Sequence, residues 1–167
     1  MVLTKEELIS SLQNEVRILL HLATKIDRKH LDYRPSAKQR SIIELLRYLS
    51  VMGPGLVPAI KTGTFDGPAW QAATAAADAM DFDAVLASIG KQSAGYAESL
   101  GTMSEADFRG EIEMFGRTAS RGSIIVNLVL CGFAAYRTQL FMYLKACGRE
   151  ELNTMNLWGG VDAPMQM

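Results

Sequence analysis

Side chains that commonly carry out chemistry in proteins are few in this chain. Two histidines, His21 and His30, and two cysteines, Cys131 and Cys147, are spread over 167 residues. No CxxC or HExxH spacing can be written with them, so the sequence shows no common zinc motif. It also shows no GxSxG nucleophile elbow and no glycine-rich phosphate loop. No familiar catalytic signature is therefore present, and the bound metal and cofactor are both expected to be none.

The cysteines and the first residues indicate a compartment. Cys131 and Cys147 are predicted to lie on one helix, 16 residues apart. That is roughly 24 Å at 1.5 Å per residue, far too long for a disulfide. Unpaired cysteines fit a reducing compartment. Lys5, Glu6 and Glu7 stand where a signal peptide would be apolar. We therefore expect a cytoplasmic protein.

The composition argues against two classes of partner. The net charge is −1 and the pI is about 6.1, so the whole chain lacks the basic footprint of a general nucleic-acid binder. The longest nearly apolar run, Ile124 to Tyr136, has 13 residues. Spanning a bilayer takes about 20. We expect a single domain over 1–167 that binds neither nucleic acid nor membrane.

Charge is unevenly distributed along the chain. Residues 25–40 carry a net +4, and residues 62–90 carry a net −4 without any Lys or Arg. Both segments can be read as solvated loops. Alternatively, the basic segment, with His30 and Arg34, lines the mouth of a pocket that accepts an anion. Contact between the two segments is a third interpretation.

Four stretches have the three- and four-residue apolar spacing of amphipathic helices. They cover residues 4–26, 41–62, 82–101, and from Ser120 or Ser123 to about Ala146. Thr4 with Glu7, and Ser41 with Glu44, have the spacing of capping boxes. Gly53-Pro54-Gly55 and Pro58 predict that the second helix kinks or ends before residue 62. Four such helices indicate an all-α four-helix bundle.

The remaining segments should connect or cover this bundle. The alanine-rich residues 63–81 predict a thin connecting helix or an ordered loop. The alternation FRGEIEMFG is typical of a short extended piece. The tail, 149–167, is not helical by pattern, and Leu157 and Trp158 are expected to pack it across one end of the bundle. The fourth helix is apolar nearly all round, which predicts a homodimer that covers its outer side.

Three segments carry a family resemblance. They are LDYRPSAKQRSIIELLRYL at 31–49, LVLCGFAAYRTQLFMYLKACG at 128–148 and NLWGGVD at 156–162. In this order and spacing they resemble the DinB-like (YfiT-like) superfamily of bacterial four-helix-bundle proteins. The resemblance spans nearly the whole chain.

The resemblance also implies a site. In that family a divalent metal inside the bundle is held by three histidines, one in a segment like ELLxH and two in a segment like HxxxHRxQ. Here ELLRY places Tyr48 at the first position, and GFAAYRTQ places Gly132 and Tyr136 at the other two. Glycine has no donor atom, and neutral tyrosines are poor ligands for zinc or nickel. The sequence thus predicts a family member without the metal.

Three hypotheses about function follow. Characterised family members include thiol-dependent S-transferases and isomerases that need the metal, so that activity is not expected here.

The first hypothesis is a metal-free homodimer that binds a small molecule or serves in a stress response. In it, Tyr48 and Tyr136 fill the former metal pocket, with hydroxyls paired to each other or to Asn127; a plain aromatic core is the simpler interpretation.

The second hypothesis is an enzyme whose chemistry has moved to the tyrosines. Tyrosine hydroxyls can stabilise a developing oxyanion, and Arg137 can hold a carboxylate or thiol. His30 and Arg34 would then lie at the pocket mouth. Arg137 has a simpler interpretation as an ion-pair partner on a helix surface or interface. The third hypothesis is a structural protein that uses its apolar fourth helix to bind a different partner.

Overall fold

The computed structural model describes residues 3–163, and four long helices form its bundle. They are α1 (Lys5–Ala23), α2 (Ile42–Thr62), α4 (Phe82–Gly101) and α6 (Arg121–Ala146). Two shorter helices, α3 (Gly67–Asp78) and α5 (Glu105–Arg109), connect them. Helix α1 packs against α4 and α6, and α2 packs against α3, α4 and α6. The predicted all-α bundle is confirmed.

Fully buried aliphatic and aromatic side chains from all four long helices meet in one core. Among them are Leu12, Leu19, Leu45, Leu49, Ile89, Phe133 and Leu140. Burying each such side chain contributes about 1.5–3 kcal/mol.

Both predicted capping boxes are present. The Thr4 hydroxyl accepts a hydrogen bond from the Glu7 amide, and the Glu7 carboxylate accepts one from the Thr4 amide. Ser41 and Glu44 make the same reciprocal pair at the start of α2. Each pair satisfies backbone donors that a helix start leaves without a partner. These caps fix where the first two helices begin.

Of the two alternatives expected for α2, an end at Gly53-Pro54-Gly55 or Pro58 is wrong, because the helix continues to Thr62. Pro54 and Pro58 are exposed, so the hydrogen bonds they remove lie on the outer side of the helix. Gly53 is buried and lies against the Tyr96 hydroxyl of α4. Packing against α3, α4 and α6 holds the helix together across both prolines.

The extended piece expected near residue 112 is one strand of a hairpin. Strand β1 (Glu111–Met114) pairs antiparallel with β2 (Arg117–Ser120), with Glu111 opposite Ser120. Its turn residues, Phe115 and Gly116, have φ of 53° and 74°. Both central residues of this tight turn are left-handed, a conformation that is uncommon for a bulky residue such as phenylalanine. The turn holds the Phe115 ring out, with 63% of the residue exposed.

Of the two predicted caps of helix α6, Ser120 and Ser123, the structure uses Ser120. Its side chain accepts a hydrogen bond from the Ser123 amide. The helix ends before Gly148, which has a φ of 93° and is the expected terminating glycine. Between these ends, Ile125–Leu130 form a wide turn of π-helical geometry. No pattern in the sequence predicted this turn. Such turns are rare and are often found at functional sites.

Polar contacts, more than Trp158, hold the tail. The Arg17 guanidinium donates to the carbonyls of Gly159 and Gly160. Asn156 is buried, whereas Trp158 is 69% exposed. The tail lies against the bundle, where the Arg137 guanidinium lies 5.3 Å from the centre of the Trp158 ring, but most of the Trp158 surface stays exposed and Leu157 is half-buried.

Helices α2 and α6 are long and apolar enough to span a membrane by length and composition alone. The apolar window of α2 is 67% buried in the bundle, as in the core helix of a soluble protein. For α6 that fraction is 33%, so much of its apolar surface is uncovered within the single chain. By itself this is weak evidence for a membrane.

Candidate functional site

The three positions identified from the sequence lie around one open pocket. Tyr48 comes from α2, and Gly132 and Tyr136 come from α6. They line a cavity of about 630 Å³, and Asn127 lines it as well. Gly132 and Tyr136 are four residues apart and share a helix face, which brings both opposite Tyr48.

Five aromatic rings from different parts of the chain surround this cavity, which we call the aromatic pocket. The Tyr48 and Tyr136 ring centroids are 5.1 Å apart in an edge-to-face arrangement. Trp70 of α3 lies 6.4 Å from Tyr48. Phe65 is 5.5 Å from both Trp70 and the hairpin residue Phe115. Offset and edge-to-face contacts of this kind are favourable beyond the area they bury.

The phenol of Tyr48 is held in its protonated form. Burial raises the pKa of Tyr48 to about 12, and the neighbouring Tyr136 acts in the same direction. The Arg40 guanidinium, which lies 4.0 Å above the Tyr48 ring centroid, opposes the shift. Near neutral pH, Tyr48 can therefore donate a hydrogen bond to a ligand but is not a base.

The π-helical turn of α6 forms part of the pocket wall through Asn127 and Leu128. The Asn127 side-chain nitrogen donates to the Ser123 carbonyl at 2.8 Å. The same nitrogen lies 3.4 Å from the Ser123 hydroxyl, so both of its contacts are to Ser123 and not to a tyrosine hydroxyl as predicted.

The other sequence-identified candidates lie elsewhere. His30, Arg34 and Arg137 are not among the described residues that line the aromatic pocket. His30 lies in a short 3₁₀ turn, and Arg34 pairs with Glu44 at 3.0 Å. Arg40 lies over the Tyr48 ring, but it lines a neighbouring cavity and not the aromatic pocket.

Arg137 is not a surface residue but is buried with only 3% exposed. Its Nε lies 2.8 Å from the Glu15 carboxylate of α1. A further guanidinium nitrogen donates to the Leu157 carbonyl of the tail. The ion-pair interpretation of Arg137 therefore holds, inside the bundle.

The basic and acidic segments touch, as one of the three interpretations proposed. Arg28 Nη2 lies 2.5 Å from the Asp83 carboxylate. Its guanidinium also lies 5.1 Å from the centre of the Phe82 ring. The contact joins the loop after α1 to the start of α4.

His21 is also more buried than a surface histidine, since its side chain is 15% exposed. Its Nε2 lies 3.2 Å from the Asn156 amide nitrogen and 3.7 Å from the Asp162 carboxylate. It therefore belongs to the contact between α1 and the tail.

The groups around the aromatic pocket do not fit the divalent metal that the resemblance implies. A Cβ at Gly132 would lie 3.1 Å from Met52 Sδ, so the Met52 side chain occupies the space beside this position. Between Leu3 and Ala163, no cluster of three His, Cys, Asp or Glu side chains has the geometry of a metal site. Neutral phenols and a thioether are a poor donor set for zinc or nickel.

Three aromatic residues of the pocket were not identified from the sequence, namely Phe65, Trp70 and Phe115. Phe65 and Phe115 lie outside the helices, where no periodicity marks a face. For Phe115, the Gly116 that follows it inside an alternating run was the available signal for a hairpin turn.

Comparison with known proteins finds a likeness to solved structures. No family model matches the chain, and no curated protein matches it. Among solved structures, the crystal structure of a DinB-like protein, YjoA from Bacillus subtilis, superposes with a TM-score of 0.66. The two sequences are 20% identical, and the match covers 87% of this chain and 94% of that chain. At this identity the likeness establishes a shared fold.

Proposed function

We propose that this chain, which has the DinB-like fold predicted from its three sequence segments, is a metal-free protein that binds a small organic molecule in the aromatic pocket. One observation carries the proposal: the region of the implied metal site is an open cavity walled by aromatic rings, not a closed core. Its volume of about 630 Å³ lies within the range of small-molecule sites.

The lining indicates the chemistry of the ligand. Aromatic rings with Met52 and Leu56 favour a flat, apolar body. The protonated Tyr48 hydroxyl can donate to an acceptor on that body. We therefore infer an aromatic compound with a hydroxyl or carbonyl oxygen. The π-helical turn beside the pocket supports a site here, because such turns often occur at functional positions.

The loss of the family's metal chemistry is part of this proposal. Its support is the donor set at Tyr48, Gly132 and Tyr136 and the Met52 side chain against Gly132. Purified protein incubated with zinc, nickel or manganese and then desalted should retain no ion. A stoichiometric ion would restore the metal-dependent transferase hypothesis.

The hypothesis of a relocated enzyme has less support. Arg137 is engaged with Glu15 and the tail, and so is not placed to hold a substrate in this pocket. A raised Tyr48 pKa leaves the phenol as a hydrogen-bond donor but not as a general base. The groups around the aromatic pocket therefore support ligand binding better than they support catalysis.

We also propose a homodimer through α6, whose outer face carries Cys131, Ala135, Thr138 and Met142 as exposed residues. They recur at three- and four-residue steps and form one stripe, which we call the α6 stripe. Cys131 and Ala135 also line the aromatic pocket. A second copy on the α6 stripe would therefore shield part of the pocket from water.

Binding of 2-naphthol, measured by isothermal titration calorimetry, tests the ligand proposal. We expect saturable binding that is weakened about tenfold in Tyr48→Phe, as for loss of one hydrogen bond of about 1.4 kcal/mol. Phe115→Asn should also weaken binding, because it removes one ring while asparagine tolerates the left-handed turn.

The matched control is Trp158→Asn, which removes a similarly exposed ring from the tail and should leave binding unchanged. Absence of binding to the wild type, or equal losses in the Phe115 and Trp158 variants, would overturn the proposal.

A further inference from the structure

A histidine of α1 and an asparagine of the tail share a hydrogen bond whose direction is fixed by its surroundings. His21 Nε2 lies 3.2 Å from Asn156 Nδ2, and Asn156 is buried with 2% exposed. Asn156 belongs to a wide turn over Met155–Gly159 that lies against α1. We call residues 153–162, which contain this turn, the strap.

The orientation of the Asn156 amide is set from two sides. Its Oδ1 accepts a hydrogen bond from the Asn153 backbone amide at 3.0 Å. Its Nδ2 donates at 2.9 Å to the Asp162 carboxylate, which in its ionised form can only accept. Turning the amide over would break both bonds. The atom that faces His21 is therefore the donor Nδ2.

This arrangement requires a neutral His21 ring with its proton on Nδ1. A donor needs an acceptor opposite it, and Nε2 accepts only while it carries no proton. Protonation places an N–H on Nε2 and sets two donors against each other. The bond is then lost, and a hydrogen of the Asn156 amide is left without a partner in a buried position, which is costly.

The charges that face His21 come from α1 and from the strap. Burial lowers the pKa of His21, and the charges of Lys25 and Arg17 on the same helix act in that direction. The Asp162 carboxylate acts against it, but this group lies 3.7 Å from Nε2 and 2.7 Å from Lys25 Nζ. His21 therefore binds a proton more weakly in the closed strap than in an open one, where its ring is solvated, so acid favours opening.

The strap covers the buried ion pair of Arg137 with Glu15. Leu157 and Trp158 directly follow Asn156 in the chain. The Leu157 carbonyl accepts from the Arg137 guanidinium, and the Trp158 ring centre lies 5.3 Å from it. Loss of the bond between Asn156 and His21 therefore loosens the segment that shields the ion pair from water. The Arg17 bonds to the end of the turn still hold the strap to the bundle.

We propose that the strap is a pH-sensitive closure, shut while His21 is neutral and opened when His21 takes up a proton. Opening frees Leu157 and Trp158 from Arg137 and lets water reach the pair of Arg137 with Glu15. The strap thus couples the acidity of the surroundings to the contact between α1, α6 and the tail. This proposal is independent of ligand binding in the aromatic pocket.

Amide hydrogen exchange measured by mass spectrometry tests the proposal. The backbone amides of Leu157 and Val161 are hydrogen-bonded in the closed strap. Their protection, relative to an unstructured peptide at the same pH, should fall about fivefold between pH 7.5 and pH 5.5. The protection of α4 around the buried Ile89 should stay unchanged, because the bundle remains folded.

His21→Gln keeps an acceptor opposite Asn156 but does not titrate, so its strap should stay protected at pH 5.5. The matched control is His30→Gln, which replaces the other histidine of the chain outside the strap and should behave as the wild type does. A strap that stays protected in the wild type, the same fall in His21→Gln, or an equal fall in α4 would overturn the proposal.

An NMR titration of the two histidine rings is a second measurement that needs no change at His21. His30→Gln assigns the two signals. The midpoint of the His21 titration should coincide with the pH at which the strap loses its protection. A strap that opens at a pH where His21 does not titrate would also overturn the proposal.

Discussion

Arg137 Nε lies 2.8 Å from Glu15 Oε2 in the interior of the bundle, with the two side chains 3% and 11% exposed. The pair joins α6 to α1, and Arg137 also holds the tail through the Leu157 carbonyl. Burial raises the pKa of Glu15, while the charge of Arg137 and its hydrogen bond act against that rise. One ion pair thus connects three separate parts of the chain.

Removing Arg137 should destabilise the protein strongly. Arg137→Met leaves the Glu15 carboxylate buried without its partner, which should cost about 3–5 kcal/mol of unfolding free energy. The double variant Glu15→Leu with Arg137→Met should lose less than Arg137→Met alone, because it leaves no orphan charge. Urea unfolding followed by circular dichroism measures both. The exposed pair of Arg34 with Glu44 is the control, and Arg34→Met should cost less than about 1 kcal/mol.

Gly53 should not tolerate a methyl group. A Cβ there would lie 1.8 Å from the Tyr96 hydroxyl, which donates to Gln92 at 2.8 Å. Gly53→Ala should therefore cost about 1–3 kcal/mol through overpacking. At Gly95 on α4 a Cβ meets nothing within 4 Å, so Gly95→Ala should gain about 0.5–1 kcal/mol. Thermal unfolding of both variants checks this, and equal effects would contradict the close approach of Tyr96 to α2.

Acidification should weaken the contact between α1 and the tail through His21. Burial lowers the pKa of His21 below its ordinary value of 6.5, Lys25 and Arg17 add to this, and Asp162 opposes it. Below about pH 6.5 the unfolded chain therefore binds more protons than the folded chain, and stability falls with falling pH until the folded-state pKa is reached.

Chemical unfolding at several pH values tests this in His21→Asn, which lacks the titrating ring. The stability advantage of the wild type over this variant should shrink between pH 7.5 and 5.5. An advantage that is constant over that range would show that His21 is not responsible.

A charge in the α6 stripe should dissociate the proposed dimer. Ala135→Arg places a guanidinium in the proposed contact, whereas Ala87→Arg places it on an exposed position of α4. Sedimentation velocity should give a dimer for the wild type and Ala87→Arg, and a monomer for Ala135→Arg. A monomeric wild type would contradict the proposed dimer.

Helix positions were largely predictable because local signals set them. Thr4 with Glu7 and Ser41 with Glu44 each form a cap within one helical turn, so four consecutive residues contain the whole interaction. Helix α2 is different, since burial of its face outweighs the local penalty of Pro54 and Pro58. That burial depends on α4 and α6, which no short window of sequence contains.

The candidate site was predictable only in part for a similar reason. Gly132 and Tyr136 face Tyr48 because helical spacing and two packed helices place them there. Phe65 and Phe115 reach the aromatic pocket from a loop and a hairpin turn, whose placement depends on tertiary packing. The buried position of Arg137 was not predicted, because its partner, Glu15, is 122 residues away in sequence.

That separation also sets an order of events during synthesis. Ribosomes add about 5–20 residues per second, so on the order of 10 s passes between the emergence of Glu15 and that of Arg137. During this interval α4 can cover part of the apolar face of α1, but the charge of Glu15 has no counter-ion from α6. A nascent chain that stalls before α6 therefore exposes the uncovered part of the apolar face of α1 and the unpaired carboxylate of Glu15. Chaperones and proteases would then act first on α1.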